Sequence, residues 1–368
     1  MGPSGRFAAV LGGVWLALGI VSLRFEPPEF RPWERLYDRD ALRFQASRRV
    51  EMVEVGDLGF KTWVRALQHP RPARFTTDRW GFRNPRDLEA PRIVVVGDSY
   101  VAGSGLSDEE TVTARLAAHL GEPVYNFATE HLNGPALFLR EARFARSRPE
   151  VVVYAPVARG IRPRALARRS WARPEPPGDW LSRHRRMGEA IAGEVERLNR
   201  DNGLARESRF LVQGLRHRWR AHPQEIETPE GERVLALGLL EQGLLHSPEQ
   251  RRVDDVVRMV ATLDGILRGA GVRLVFSPIP ESGSIYPELF PAEQRRLLAR
   301  PSFLDRLLQG TRDAGVEVLD LRAVFRADRS PYLYQPDDSH WNARATDLAA
   351  RALSERLGDG ARLAGRKP

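Results

Sequence analysis

A serine and a histidine in this chain have the surroundings that nucleophilic catalysis requires. Ser99 belongs to Gly-Asp-Ser-Tyr at residues 97–100, directly after a short β-branched run. His340 lies far downstream in Asp-Asp-Ser-His-Trp at residues 337–341, with two carboxylates before it. A serine hydroxyl becomes nucleophilic when a histidine removes its proton, and a carboxylate orients that histidine. The pattern predicts Ser99 as nucleophile, His340 as general base and either Asp337 or Asp338 as the orienting residue.

Alternating strands and helices bring these groups to one edge of a predicted sheet. Short β-branched or apolar runs predict buried parallel strands at 92–97, 123–128, 150–157, 272–279 and 316–321. Helical spacing predicts helices at 109–120, 134–146, 250–268, 292–314 and 343–357. This alternation is typical of an α/β fold with a doubly wound parallel sheet, in the three-layer, flavodoxin-like arrangement. Sites in such sheets form at the carboxyl ends of the strands.

The alternation breaks between about 160 and 248, where arginine, proline and glycine are frequent. We interpret this region as a helical insertion, with helical pieces near 186–199 and 232–245. The predicted organisation is then an anchor or signal segment, a stem with an amino-terminal extension, a catalytic domain that carries the insertion, and a tail. Their bounds are 1–25, 26–75, 76–358 and 359–368.

The amino-terminal run Phe7–Leu23 has no charged side chain and is flanked by Arg6 and Arg24. As a helix it would span about 25 Å, near the short limit for crossing a membrane. We predict an uncleaved single-pass anchor, with a cleaved signal peptide or a buried helix as alternatives. Arg6 favours a cytoplasmic amino terminus, which would place the catalytic domain on the periplasmic side of the cytoplasmic membrane.

Composition excludes several classes of function. The chain has 368 residues, 42% hydrophobic and 29% charged, which excludes wholesale disorder and a multi-pass membrane protein. Its net charge is +9, but the arginines are spread along the chain, so we predict no nucleic-acid partner. The absence of cysteine excludes a thiol nucleophile and a Cys₄ zinc site. Neither His-Glu-x-x-His nor a phosphate-binding loop occurs, and we predict no metal and no cofactor.

Over about residues 76–158 and 270–357 the chain resembles the SGNH, or GDSL, hydrolase superfamily. Residues 77–84 are similar to an Asp-x-x-Gly-Phe-Arg lead-in of several such families. Residues 338–341, Asp-Ser-His-Trp, resemble the Asp-Thr-His-Trp motif of periplasmic alginate O-acetyltransferases, in which the motif precedes the serine instead of following it. The acetyltransferase-like Asp-x-His spacing implies Asp338 as the orienter, and the Asp-x-x-His spacing of ordinary members implies Asp337. We favour Asp338 and expect the other aspartate to cap the following turn.

The resemblance also implies oxyanion donors beside the Ser99 backbone N–H. Superfamily members carry a glycine after the second strand and an asparagine after the third. At the second strand the candidates are Asn126 and Gly134, and after the third strand the asparagine is missing and Arg159 stands nearby. Each has a structural alternative: a strand-end role for Asn126, a helix entry for Gly134 and an ion pair for Arg159.

The expected function is acyl transfer through an acyl-enzyme on Ser99. The resemblance favours O-acetylation of a cell-surface polysaccharide, with an acyl donor that a membrane acyltransferase would supply. Two alternatives stay open. A carbohydrate or lipid O-acyl esterase would use every one of the same catalytic residues, and a non-catalytic polysaccharide-binding module is compatible with the missing asparagine.

Overall fold

The computed structural model describes most of the chain between residues 32 and 364. The described residues are 13, 17, 32–38, 41–129, 134–162, 203–218, 222, 224–239, 241–244, 252–297 and 301–364. The predicted anchor at 7–23 lies outside them apart from residues 13 and 17, and so does the predicted helical piece at 186–199. Within these ranges, no helix combines the length and the apolar character needed to cross a bilayer.

Between residues 93 and 276, helices separate successive strands of the central sheet. The strands are β1 Tyr37–Asp38, β2 Arg43–Phe44, β3 Arg49–Glu54, β4 Arg71–Thr76, β5 Ile93–Gly97, β6 Val124–Ala128, β7 Val151–Ala155, β8 Glu225–Glu227, β9 Arg233–Leu235 and β10 Arg273–Phe276. The helices are α1 Asp57–Thr62, α2 Ser99–Ala102, α3 Val112–Leu120, α4 Gly134–Phe138, α5 Ala142–Arg146, α6 Gly203–His217, α7 Val253–Gly269, α8 Ser282–Ile285, α9 Ala292–Leu297, α10 Phe303–Asp313, α11 Leu321–Ala327 and α12 Ala343–Ala364.

Four parallel strands form the central sheet in the order β6-β5-β7-β10. A parallel bridge between Phe276 and Val318 extends the sheet by one position beyond β10. Counted along the chain, this is the 2-1-3-4-5 order of flavodoxin-like folds. The predicted α/β fold with a parallel sheet is therefore confirmed.

The sheet is buried on both faces because its strand residues point alternately to two apolar cores. Ile93 and Val95 of β5 lie in one core, together with side chains of α3 and α12. Val94 and Val96 lie in the other, together with side chains of α7 and α10. Burial on both faces explains why the strands have continuous β-branched runs instead of alternating polarity.

Four predicted elements differ from the structure. The helix expected at 134–146 is divided into α4 and α5, because the backbone of Glu141 between them is extended. The strand expected at 316–321 is reduced to the bridge at Val318, because the side chain of Asp320 accepts the backbone N–H of Arg322 and caps α11. The helix expected at 292–314 is interrupted, since Pro301 precedes a capping box that begins α10. A helix was expected over 232–245, but this range begins with β9, which pairs antiparallel with β8. The chain reverses between the two strands at Gly231, whose φ is positive.

Residues 49–76 lie outside the central sheet, and we call them the amino-terminal unit. Its strands β3 and β4 pair antiparallel along their full lengths, from Arg49 opposite Thr76 to Glu54 opposite Arg71. The connection between the strands carries the short helix α1. This unit contacts the candidate site, as described below.

The turn from β5 into α2 requires glycine at position 97. A Cβ at Gly97 would lie 2.2 Å from Val101 Cγ2 and 3.0 Å from the backbone oxygen of Ala155. We expect Gly97→Ala to lower the free energy of unfolding by about 1–3 kcal/mol, because the turn has no room to relax. Urea denaturation would measure this. Gly265→Ala is the matched control, since Gly265 lies in α7 with nothing within 4 Å of an added Cβ. The control is expected to be neutral or stabilising by up to about 1 kcal/mol; equal stability of the two variants would contradict the tight turn.

Candidate active site

Ser99 is the first residue of α2, directly beyond the carboxyl end of β5. Asp98 caps this helix by accepting the backbone N–H of Tyr100 at 3.0 Å. The other oxygen of Asp98 accepts the backbone N–H of Val157 at 2.7 Å, which ties β5 to the segment after β7. Burial raises the pKa of Asp98. Ser99 itself is half-buried, so its hydroxyl is presented at the sheet edge by a rigidly held turn.

His340 lies on a loop, residues 335–341, that we call the histidine loop. An antiparallel bridge between Tyr334 and Trp341 closes its base, and the Gln335 N–H donates to the His340 carbonyl at 2.9 Å. The indole N–H of Trp341 donates to the Tyr100 carbonyl at 3.0 Å. The loop is therefore fixed against the helix that begins with Ser99.

The two segments meet in a hydrogen-bonded array. Ser99 Oγ lies 2.8 Å from His340 Nε2, and His340 Nδ1 lies 2.5 Å from Asp338 Oδ1. His340 and Asp338 are buried, at 1% and 2% exposure. Both distances are within hydrogen-bonding range, as a serine–histidine–carboxylate arrangement requires. The chemistry that this arrangement allows is proton removal from Ser99 Oγ by a histidine of fixed orientation.

The two aspartates before His340 face different partners. Asp338 contacts the imidazole, whereas Asp337 is fully buried and turned toward the amino-terminal unit. Asp337 Oδ2 accepts the backbone N–H groups of Gly56 at 2.9 Å and His69 at 2.8 Å, and Asp337 Oδ1 accepts from Arg71 at 2.6 Å. Asp337 thus joins two parts of the chain, and it does not cap the local turn as expected for the second aspartate.

Asn126 has a structural position instead of the expected place among the oxyanion donors. Its side chain is fully buried at 0% exposure. The amide nitrogen donates to the Val101 carbonyl at 2.8 Å and to Thr113 Oγ1 at 3.2 Å, and its oxygen accepts the Ala128 N–H at 3.0 Å. Because these bonds lie within the fold and occupy both amide hydrogens, the side chain cannot serve a reacting carbonyl.

Arg159 forms the ion pair that was one of its two alternatives. Its Nη1 lies 2.7 Å from Glu281 Oε2 and donates to Tyr100 OH at 2.9 Å, and its Nη2 donates to Ser339 Oγ at 3.0 Å. The Tyr100 hydroxyl in turn donates to the Ser339 carbonyl, and its ring centroid lies 4.3 Å from that of His340. Burial raises the pKa of Tyr100, which keeps the hydroxyl protonated as a donor. Arg159 therefore contacts the histidine loop directly at Ser339 and indirectly through Tyr100.

Gly134 begins α4 and lies against the end of β5. A Cβ there would meet Val96 Cγ1 at 2.8 Å and the Gly97 carbonyl at 3.5 Å. The absence of a side chain lets this backbone approach the strand that presents Ser99. Gly134 thus lies beside residues 97–99, which we call the nucleophile turn, as a candidate oxyanion donor must.

The histidine loop lies within a segment that matches a family model. Residues 239–367 match the model described as "SGNH hydrolase-like domain, acetyltransferase AlgX". This carboxyl-terminal part of the chain is therefore similar to SGNH hydrolase-like domains. The resemblance inferred from the sequence is confirmed, and the matched segment includes His340 and both aspartates, whereas Ser99 precedes it.

Several solved structures align with the chain at low similarity. An SGNH hydrolase from Slackia heliotrinireducens is 16% identical, with 73% of this chain and 99% of that chain covered and a TM-score of 0.36. The esterase EstA from Pseudoalteromonas sp. is 12% identical, with 73% and 98% covered and a TM-score of 0.34. The carbohydrate acetylesterase Est24 from Sinorhizobium meliloti is 10% identical, with 73% and 99% covered and a TM-score of 0.34. These values are too low to bear on activity. No curated protein matches the chain.

Arg83, in the lead-in to the SGNH-like domain, is a buried structural residue. Its guanidinium donates to four backbone carbonyls, each at 2.7 Å, and its Nε donates to Asp108 at 3.1 Å. Two of the carbonyls, those of Ala102 and Gly103, close the helix that begins with Ser99. The residue supports the nucleophile turn through the backbone and has no donor left for a substrate.

Among the described residues, one group of side chains has the spacing of a metal site. Ligand atoms of Asp57, Asp338 and His340 all lie within 4.8 Å of one another. However, Asp338 Oδ1 and His340 Nδ1 are hydrogen-bonded to each other, so neither lone pair is directed at a shared cation. The chemistry of this SGNH-like site fits a proton-transfer array better than a metal centre.

Four residues of the SGNH-like site were not among the predicted ones: Asp57, Arg71, Tyr100 and Glu281. Tyr100 and Glu281 follow the ends of β5 and β10, and their position at the sheet edge was an available signal. Asp57 and Arg71 belong to the amino-terminal unit, and no local pattern marks them.

Proposed function

We propose that this protein is an SGNH-type acyltransferase that carries an acyl group on Ser99 and passes it to a sugar hydroxyl of a cell-surface polysaccharide. The observation that supports this most is the unbroken array from Ser99 Oγ through His340 to Asp338, with the serine half-buried and the other two buried. The AlgX-type match over the histidine loop supports transfer over simple hydrolysis.

In the first half-reaction, His340 Nε2 takes the proton of Ser99 Oγ as the oxygen attacks the acyl carbonyl. The carbonyl π electrons move to oxygen and form a tetrahedral intermediate. As the intermediate collapses, the bond to the leaving group breaks and His340 returns the proton to that group. Asp338 keeps the imidazole in the tautomer that has Nδ1 protonated, and it stabilises the charge that develops on the ring.

In the second half-reaction, a sugar hydroxyl replaces the leaving group. His340 takes the hydroxyl proton and the sugar oxygen attacks the acyl carbon. As the tetrahedral intermediate collapses, the bond between Ser99 Oγ and the acyl carbon breaks and His340 returns the proton to Ser99 Oγ. The reaction needs no cofactor, because the acyl group passes from the serine oxygen to the sugar oxygen. Excluding water during this step is what separates a transferase from an esterase.

The oxyanion donors in this proposal are the backbone N–H groups of Ser99 and Gly134. Gly134 is supported by its close approach to β5. Arg159 is assigned to positioning, because its guanidinium bonds Glu281, Tyr100 and Ser339. Asn126 is left out of the set because both of its amide hydrogens are used inside the fold.

The location and partners in this proposal come from the sequence. The uncharged run Phe7–Leu23 would tether the domain to the cytoplasmic membrane on its periplasmic side. A membrane acyltransferase would then be the source of the acyl donor, and a polysaccharide would be the acceptor.

The full chain in detergent, with p-nitrophenyl acetate as donor, provides the test. Neutral and uronate oligosaccharides are added as acceptors, and products are identified by mass spectrometry. We expect p-nitrophenol release together with acetylated oligosaccharide, since the acyl-enzyme is captured by a hydroxyl. Release of free acetate alone at saturating acceptor would replace transfer by hydrolysis. No release, together with no labelling of Ser99 by a fluorophosphonate, would reject acyl transfer altogether.

A further inference from the structure

The amino-terminal unit, residues 49–76, is hydrogen-bonded to the histidine loop. The Leu58 and Gly59 N–H groups donate to the Asp337 carbonyl at 3.1 Å and 2.8 Å. The unit lies before the residues matched by the family model and outside the central sheet. Its contacts therefore join a segment of the chain remote in sequence to the candidate catalytic residues.

Asp57 contacts two neighbours of His340. Its backbone N–H donates to Asp338 Oδ2 at 3.1 Å. Its carboxylate accepts the Ser339 backbone N–H at 2.7 Å and the Ser339 hydroxyl at 3.0 Å. Asp57 is buried at 5% exposure, so these bonds form where water does not compete for them.

Arg71 bridges the two aspartates of the loop. Its Nη1 lies 2.6 Å from Asp337 Oδ1, and its Nη2 lies 3.4 Å from Asp338 Oδ2. The Arg71 side chain is 16% exposed, and the carboxylates are at most 1% exposed. The positive charge of one guanidinium thus offsets the negative charges of two adjacent buried carboxylates, which would otherwise repel each other.

These contacts divide the oxygens of Asp338 between two tasks. Oδ2 accepts from Asp57 and Arg71, and Oδ1 accepts from the backbone and ring N–H groups of His340. A carboxylate held at Oδ2 cannot rotate about its Cβ–Cγ bond. Oδ1 therefore stays aligned with His340 Nδ1, which is the alignment that the proton transfer needs.

We propose that Asp57 and Arg71 of the amino-terminal unit are positioning residues for acyl transfer, acting on His340 through Asp338 and Ser339. This rests on the proposed function of the Ser99–His340–Asp338 array. Neither residue touches the reacting atoms; each sets the orientation and the electrostatic field of the general base.

The test uses Asp57→Asn and Arg71→Gln in the full chain, with p-nitrophenyl acetate as substrate. Each variant is expected to lower kcat/KM by about ten- to hundredfold, mainly in kcat, because a hydrogen bond to a charged group is weakened or lost. Matched controls lie on exposed positions of β3 in the same unit. Glu51→Gln removes one negative charge and Arg49→Gln removes one positive charge, and both are expected to leave kcat/KM unchanged.

The pH profile separates positioning from a purely structural role. Among the described residues, the charged or ionisable groups around the array include Asp338, Asp57, Asp98, Tyr100, Arg71 and Arg159, and the further groups paired or coupled with these are Asp337, Glu54, Lys61 and Glu281. The acid limb of kcat/KM reports protonation of the base in the free enzyme. Removing the Asp57 charge should move this limb to lower pH, and removing the Arg71 charge should move it to higher pH, each by about half a unit. Simple loss of folding would not move the limb in opposite directions.

Arg71→Lys keeps the charge and loses the two-pronged geometry, so the acid limb should stay in place while kcat falls. If Arg71→Gln does not fold, as judged by thermal unfolding, Arg71→Lys still tests the positioning role of Arg71. Wild-type kcat/KM in folded Asp57→Asn and Arg71→Lys, with the acid limb of Asp57→Asn unmoved, would overturn the inference. Turnover retained by Ser99→Ala would instead reject the proposed function itself, so the two failures are distinguishable.

Discussion

Replacing Ser99 with alanine is expected to lower kcat for p-nitrophenyl acetate by about 10⁴-fold or more while the fold is retained. The serine oxygen is the atom that would bond to the acyl carbon, and it is the group 2.8 Å from His340 Nε2. Residues of a serine–histidine–carboxylate array act as one unit, so removing the nucleophile removes nearly all of the effect. Ser99 is half-buried, so the lost hydroxyl should change stability little. Steady-state kinetics and urea denaturation measure the two quantities.

Ser104→Ala is the control for this substitution. Ser104 lies in the same turn, where its backbone N–H donates to the Ser99 carbonyl at 3.1 Å. Its own hydroxyl is buried and makes no hydrogen bond. We expect the control to keep wild-type turnover. Activity of Ser99→Ala equal to that of Ser104→Ala would show that another group is the nucleophile.

Asparagine substitution of the two neighbouring aspartates is expected to separate catalysis from stability. Asp338→Asn should lower kcat by about 10³–10⁴-fold, because the amide favours the wrong imidazole tautomer. Asp337→Asn should instead lower the free energy of unfolding by about 3–5 kcal/mol, because Arg71 loses its main buried partner. Kinetics and urea denaturation on the same preparations provide both values.

Each variant is the control for the other, since the two positions are adjacent and the chemical change is identical. A larger loss of kcat in Asp337→Asn than in Asp338→Asn, at equal folded fraction, would assign the orienting role to Asp337. Equal losses in kcat would mean that the loop, and not one carboxylate, orients His340.

The central sheet was predictable because its strands are buried on both faces. Such strands need continuous apolar, β-branched runs, and β5 and β7 have them. The strand expected near Val318 was overestimated because a local cap at Asp320 starts a helix, and cap formation competes with strand pairing over short distances. The hairpin of β8 and β9 was missed because its short strands are weakly patterned.

The residue types of the candidate site could be predicted, whereas the partners of several residues could not. Gly-Asp-Ser after a strand and two aspartates before a histidine are local patterns. The contacts that distinguish Asp337 from Asp338 come from residues 281 and 268 positions away in sequence. The ion pair between Arg159 and Glu281 joins residues 122 positions apart. No periodicity or spacing encodes such contacts, since they depend on how separate elements pack.

The bonds between α1 and the histidine loop also bear on when the site forms during folding. They join positions separated by 281 and 282 residues, so forming them closes a long loop and costs its closure entropy. Contacts of such high sequence separation form late. A nascent chain that ends before residue 337 can fold β5, β6 and β7 and present Ser99, but it lacks the general base His340 and its orienting residue Asp338. Catalytic competence therefore arises only after the histidine loop has been synthesised and has met α1.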